Sequence, residues 1–205
     1  TLEFIGNRHD PYSDIGMVSA QGGKIINLTN SGYTNGSPRW VLDGNAILFI
    51  TERYGMRAHA SWGSLNDVML VFMNQDAYDK FRLSKEDYEL QKELEKEQKN
   101  TTEAKKNDKK KGDNKEKSEE KKEEKVKDIV VELNNIEDRI VRLTPNSSDL
   151  GSAIITKDGE TLYYLSAFEG GYDLWKMNLR KKDTKLLHKM DAGWANMEMD
   201  KDGKN

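Results

Sequence analysis

The sequence predicts an all-β fold, a partial β-propeller interrupted by a long charged insertion. Three observations predict it: strand-like runs that recur at blade-sized steps, Asp-Gly turns ahead of them, and a stretch of mixed acids and bases unable to build a core. The runs are Leu2-Glu3-Phe4-Ile5, Ile47-Leu48-Phe49-Ile50 and Leu162-Tyr163-Tyr164-Leu165. Asp43-Gly44 precedes the second and Asp158-Gly159 the third; a further pair, Asp202-Gly203, follows 44 residues after Asp158-Gly159. Phe4 to Phe49 is a step of 45 residues. Repeats of this length are those of propeller blades, each a four-stranded antiparallel unit.

Each blade reads from an inner strand a to an outer strand d. Ser37-Pro38-Arg39-Trp40 and Ser152-Ala153-Ile154-Ile155 supply inner strands ahead of their Asp-Gly turns. Asp-Gly suits a tight hairpin because glycine takes positive φ without steric cost. The three aligned runs are then strand b. Asp14–Val18 and Asp173–Met177 read as strand c, with Lys24–Thr29 and Lys185–His188 as strand d. Asp14 to Leu28 and Asp173 to Leu187 are both steps of 14, so the c–d hairpin repeats in register.

The middle blade has its strand d at Arg139–Thr144 and two candidates for strand c, Asp67–Met73 and Asp128–Leu133. Asp128 to Leu143 spans 15 residues, close to the spacing elsewhere, which favours Asp128. Roughly seventy residues then loop out between strands b and c, well beyond usual connections, and Val68–Met73 becomes an extra strand. The chain thus divides into propeller strands over 1–81, a charged insertion over 82–127 and propeller strands over 128–205. These amount to two whole blades and parts of two others. Thr1 falls inside a strand b and Asn205 just beyond an Asp-Gly turn, which predicts a piece cut from a larger ring. Open sheet edges invite pairing, so self-association into a homo-oligomer is expected of the isolated chain.

Composition separates the insertion from the rest. Of 205 residues, 34% are charged and only 35% hydrophobic, and the charge concentrates between Lys85 and Lys127. Such a stretch buries too little apolar surface to offset its ordering entropy. Ser84-Lys85-Glu86-Asp87 resembles a capping box ahead of Tyr88, Leu90 and Leu94, predicting a short exposed helix. Beyond about Asn100 the periodicity fails and disorder is expected.

The bulk numbers also exclude function classes. Thirty-three basic against 36 acidic residues give a net charge of −3, and interleaved acids cancel the insertion's lysines. No nucleic-acid partner is expected. Absent cysteine removes disulfides, thiolate nucleophiles and cysteine metal sites. No apolar run reaches bilayer length, so no membrane partner is expected. The compartment, periplasmic or cytoplasmic, stays open. His9, His59 and His188 show no metal spacing, and neither a calcium loop, a nucleophile elbow nor a phosphate loop occurs. No catalytic residue, metal ligand or cofactor is therefore assigned. Paired acids for glycoside chemistry are missing from the inner strands.

One stretch is richer than a hairpin requires, and within it Arg53, Tyr54, Arg57, His59 and Trp62 are candidate peptide-binding residues. Guanidinium groups grip carboxylates and aromatic rings line peptide grooves. The alternative is that these side chains pack the insertion against a neighbouring blade. Trp40, Trp175 and Trp194 read as blade core or inter-blade packing. Arg39, Asp14 and Asp173 read as ties between strands.

Ser37-Pro38-Arg39-Trp40 with Asp43-Gly44 and an Asp-led strand c resembles the repeat of TolB-type propellers. More specific are Arg53-Tyr54-Gly55-Met56-Arg57-Ala58-His59-Ala60-Ser61-Trp62-Gly63-Ser64, Phe72–Phe81, Asn135–Thr144 and Gly171-Tyr172-Asp173-Leu174-Trp175. Together they resemble the propeller region of bacterial tricorn-type serine peptidases, over almost all the chain outside the insertion. The resemblance implies a non-catalytic propeller segment that gates or positions peptide substrates. It further implies as partners the remaining blades, a PDZ domain and a serine-peptidase core of a parent protein, with peptides or unfolded proteins as substrates. A stand-alone TolB-type scaffold for protein partners is the alternative.

Overall fold

The computed structural model describes residues 2–6, 12–57, 63–108 and 129–200. Its strands form three antiparallel sheets, each in the order β1-β2-β3, β4-β5-β6-β7 and β8-β9-β10-β11. The first holds β1 (Leu2–Gly6), β2 (Ser13–Met17) and β3 (Ile26–Asn27). The second holds β4 (Asn35–Val41), β5 (Ala46–Thr51), β6 (Asp67–Phe72) and β7 (Ile140–Arg142). The third holds β8 (Asp149–Ile155), β9 (Thr161–Ala167), β10 (Tyr172–Asn178) and β11 (Asp183–Ala192). Two compact units result, Thr1–Phe81 with Val130–Asn205, and Arg82–Ile129. Residues 201–205, with the last Asp-Gly pair, lie outside the described residues.

The second sheet is buried on both faces. In β5 and β6, Ala46 pairs with Phe72, Leu48 with Leu70 and Ile50 with Val68, while Ile47 pairs with Val71 and Phe49 with Met69. Alternate residues of a strand point to opposite faces. Ala46, Leu48, Val68, Leu70 and Phe72 thus pack against Ala153, Ile155, Leu162, Tyr164 and Met177 of the third sheet. Ile47, Phe49, Met69 and Val71 pack against Ile15 and Leu28 of the first. Every residue of β6 is buried. Apolar burial on this scale is the main stabilising term, about 1.5–3 kcal/mol per large side chain.

That double burial corrects the expected strand c of the middle sheet. Asp67–Phe72 occupies it, and the long excursion falls between β6 and β7, not between strands b and c. A strand covered on both sides needs a continuous apolar run, which Val68–Met73 supplies and 129–133 does not. Ile129, Val130 and Leu133 are instead exposed, in irregular backbone held by Glu132 N–H on Met73 O at 2.8 Å. The buried Arg139, expected in strand d, lies in a short 3₁₀ turn over Ile136–Arg139. Its guanidinium donates to the carbonyls of Phe72, Asn134 and Glu132.

An aspartate near the start of strand c ties each sheet to strand d or to the chain leaving it. Asp14 accepts from Asn27 Nδ2 at 2.9 Å, Thr29 Oγ1 at 2.7 Å, Ser31 N–H at 3.1 Å and Asn35 Nδ2 at 3.2 Å. Asp67, fully buried, accepts from Arg142, Thr144 and Ser147. Asp173 accepts the Met190 and Asp191 N–H groups. Charge-assisted bonds to the fully buried Asp67 contribute about 1.5–3 kcal/mol apiece. The outer strand β3 pairs over Ile26–Asn27 alone, shorter than expected, because Asn27, Thr29 and Ser31 turn to Asp14.

The β4–β5 connection is a four-residue turn over 42–45, built on a short 3₁₀ turn at Leu42–Gly44, and not a two-residue Asp-Gly hairpin. Leu42 and Asp43 both take left-handed φ, at 53° and 54°, ahead of Gly44 at 84°. Non-glycine residues rarely adopt this region. Asn45 secures the turn through its N–H and Nδ2 on Leu42 O.

Helix α1 (Gln75–Arg82) follows β6, with Asn74 Oδ1 accepting the Ala77 N–H at 2.9 Å as N-cap. Tyr78 and Phe81 set their rings 5.8 and 5.0 Å from that of Phe72. In the other unit, Ser84 caps α2 (Lys85–Asp108): its Oγ accepts the Asp87 N–H and donates to the Asp87 carboxylate. Lys85–Glu89 at 3.4 Å and Lys92 over the Tyr88 ring at 4.6 Å support it at helical spacing. At 24 residues this helix outruns the short one expected, because alternating Lys and Glu are good helix formers even without an apolar stripe. The disorder expected past Asn100 is therefore corrected for 100–108; residues 109–128 lie outside the described residues.

The Asp14 network makes stability depend on pH. Burial pushes this carboxyl up, but the bonds from Asn27, Thr29, Ser31 and Asn35 outweigh it and hold it below its ordinary value of 3.8. A carboxyl lowered in the folded state contributes its full stabilisation above 3.8 and loses it as pH falls through the lower, folded value. Thermal melts on acidification below about pH 4 should therefore show a falling midpoint. Asp14→Asn should be less stable at neutral pH and lose less on acidification. An unchanged acid dependence in that variant would contradict the assignment.

Candidate functional site

The loop between β5 and β6 leaves the sheet at Glu52 and returns at Asn66. It folds back on itself through Leu65 N–H on Met56 O at 3.0 Å and a bridge between Arg57 and Ser64. Gly55 makes this possible: a Cβ there would stand 1.7 Å from the Leu65 carbonyl oxygen. Asn66 then pairs through its backbone with Ser148, N–H to O at 2.7 Å and back at 3.1 Å.

On this support Arg53, Tyr54 and Arg57 join residues from elsewhere in the chain. The Arg57 guanidinium lies 5.4 Å from the Tyr12 ring centroid and 5.5 Å from that of Tyr33. The Arg53 guanidinium lies 6.0 Å from Tyr33 and 5.5 Å from Tyr54, and that of Arg142 5.0 Å from Tyr54. The result is an alternating ladder, Tyr12–Arg57–Tyr33–Arg53–Tyr54–Arg142. Each ring face attracts the cation through its quadrupole, which biases the arginine rotamers. Arg57 Nη1 also donates to Tyr12 Oη at 3.3 Å, which is the leading cause of its raised pKa.

The three cations differ in one respect. Arg142 is paired with Asp67 at 2.8 Å. Among the described residues neither Arg53 nor Arg57 has a carboxylate within salt-bridge distance, and the Arg53 guanidinium donates no hydrogen bond. His59 and Trp62, also expected at this site, lie outside the described residues. The structure adds Tyr12, Tyr33 and Arg142, which no spacing in the sequence connects to the loop.

Other expected roles change. Arg39 is exposed and, among the described residues, ties no strands; with Trp40, 37% exposed, it lines a 320 Å³ cleft between β4 and β8 that also includes Ile154, Ile155 and Glu198. Trp194 is 81% exposed and no part of the core. Trp175 packs against the cluster between the second and third sheets, edge-on to Phe168 with centroids 5.1 Å apart. Among the described residues no cluster of three or more His, Cys, Asp or Glu side chains could hold a metal, and no helix is long and apolar enough to cross a membrane.

No protein-family model matches the chain, and no curated protein does. Among solved structures, the crystal structure of the tricorn protease covers 91% of this chain with a TM-score of 0.53 and 10% sequence identity. The fold is propeller-like. The crystal structure of TolB from Acinetobacter baumannii covers 91% at 9% identity, with a TM-score of 0.46. The chain spans 17% of the tricorn protease chain and 29% of the TolB chain. At these identities the likeness concerns the fold.

The ladder depends on the fold-back at Gly55. Gly55→Ala should open it, because the new methyl meets backbone rather than a yielding side-chain end. Limited proteolysis should then cut within 52–66 faster while the melting midpoint of the sheets moves little. A loop as resistant as the parent's would contradict this packing.

Proposed function

We propose that the chain is a non-catalytic β-propeller segment of a tricorn-like serine peptidase, where it gates or positions peptide substrates. The observation that carries this reading is the arginine–tyrosine ladder on the β5–β6 loop. Two cationic side chains with no carboxylate within salt-bridge distance among the described residues, interleaved with aromatic rings, form a surface that hydrogen-bonds and stacks against an extended peptide. The propeller-like fold and the resemblance of residues 53–64, 72–81 and 135–144 to tricorn-type peptidases support it. On this reading two sheets are complete blades, and the nucleophile and its base belong to a peptidase core elsewhere in the parent protein.

Peptidase assays on unstructured peptides test the reading, comparing this chain with the full-length gene product. Activity is expected in the parent alone. An inactive but folded parent would point to a stand-alone scaffold, and activity in the 205-residue chain itself would overturn the non-catalytic assignment.

A further inference from the structure

We propose that Arg53 and Arg57 form a subsite for acidic side chains of an extended peptide. This rests on the peptide-positioning reading and names the peptides it selects. Arg142 sits against Tyr54 as Arg53 does, yet its charge is taken up by Asp67, with Nε and Nη2 donating at 2.9 and 2.8 Å. Asp67 also accepts from Thr144 Oγ1 and Ser147 Oγ.

Among the described residues Arg53 and Arg57 present donors with no carboxylate within salt-bridge distance, Glu52 acting on Arg57 only as a nearby charge. Arginine carries five N–H groups in a planar fork, of which Arg57 commits Nη1 to Tyr12. Stacking on Tyr12, Tyr33 and Tyr54 restrains both side chains, so less rotamer freedom is lost when a carboxylate binds. Gly55 and the Leu65–Met56 hydrogen bond restrain the backbone beneath them. The site is a preformed fork pair, not two free surface side chains.

Charge and number identify the occupant. The chain as a whole carries −3, so no basic field extends beyond the pair to track a phosphate backbone. The two guanidiniums stand about one ring, 6.0 and 5.5 Å from the Tyr33 centroid, which offers places for more than one carboxylate. A peptide has a single C-terminus but can repeat acidic side chains along one face, because alternate residues of an extended chain point the same way.

Fluorescence anisotropy with this chain tests the proposal, using N-acetylated, C-amidated peptides with alternating Glu or, in the control, Gln. The Glu peptide should bind at least about tenfold tighter than the Gln peptide, since two charge-assisted contacts each contribute more than neutral ones. The double variant R53Q/R57Q should erase that preference while the chain still melts cooperatively, at a midpoint no more than modestly lowered by the loss of the stacking contacts. R53K/R57K, which keeps charge but loses the fork, should retain only part of it. Equal affinity for the Glu and Gln peptides, or a preference that survives R53Q/R57Q, would overturn the inference and leave peptide positioning standing. A Gln peptide with a free C-terminus that matches the amidated Glu peptide would also overturn it. If no peptide binds at all, the peptide-positioning reading falls with it.

Discussion

The structure depends on the two-sided burial of β5 and β6. These central strands carry apolar side chains on both faces, so the second sheet joins the first and third. Phe49 and Met69 look one way, Leu48 and Leu70 the other. Were either face polar, the three sheets would separate into units too thin to exclude water. The constraint also explains the apolar composition of Ala46–Ile50 and Val68–Met73 in a chain whose charged content is otherwise high.

Polar chemistry completes what apolar packing leaves open. A strand whose sides are all buried must satisfy its ends, and the aspartates do this by collecting donors from strand d and the chain beyond it. Asp67 links this network to the surface. It holds Thr144, whose Oγ1 in turn accepts the Val68 N–H at 3.2 Å, and it draws Arg142 to the foot of the ladder. One buried carboxylate thus secures the middle sheet and takes up the charge of Arg142. Removing it would strand the Arg142 charge and loosen the chain leading to Ser148 and the third sheet.

Much of this was legible in the sequence, for reasons that also explain the misses. The b strands and the c–d hairpin of the third sheet followed from Asp-Gly turns and a repeated step of 14. Applied to the middle sheet, that step selected Asp128, because an insertion of more than sixty residues separates its strands c and d. The unbroken apolar run Val68–Met73 was the better guide, since only a central strand needs it. The site divides similarly. Arg53, Tyr54 and Arg57 share one loop and could be read as a group. Tyr12, Tyr33 and Arg142 come to it through sheet order and a strand far along the chain, which local spacing does not encode. Trp194 misled because aromatic character alone does not place a residue in a strand, and this one lies in a bend beyond the end of β11 at Ala192.

Native-state hydrogen exchange on this chain tests the central claim most directly. If the two-faced sheet organises the fold, amides of Ala46–Thr51 and Asp67–Phe72 exchange slowest, through global unfolding alone. Those of β11 and α2 open earlier, through local fluctuations. Slower exchange in β11 or α2 than in β5 and β6 would contradict the account, placing the stable core elsewhere and removing the support proposed for the arginine–tyrosine ladder.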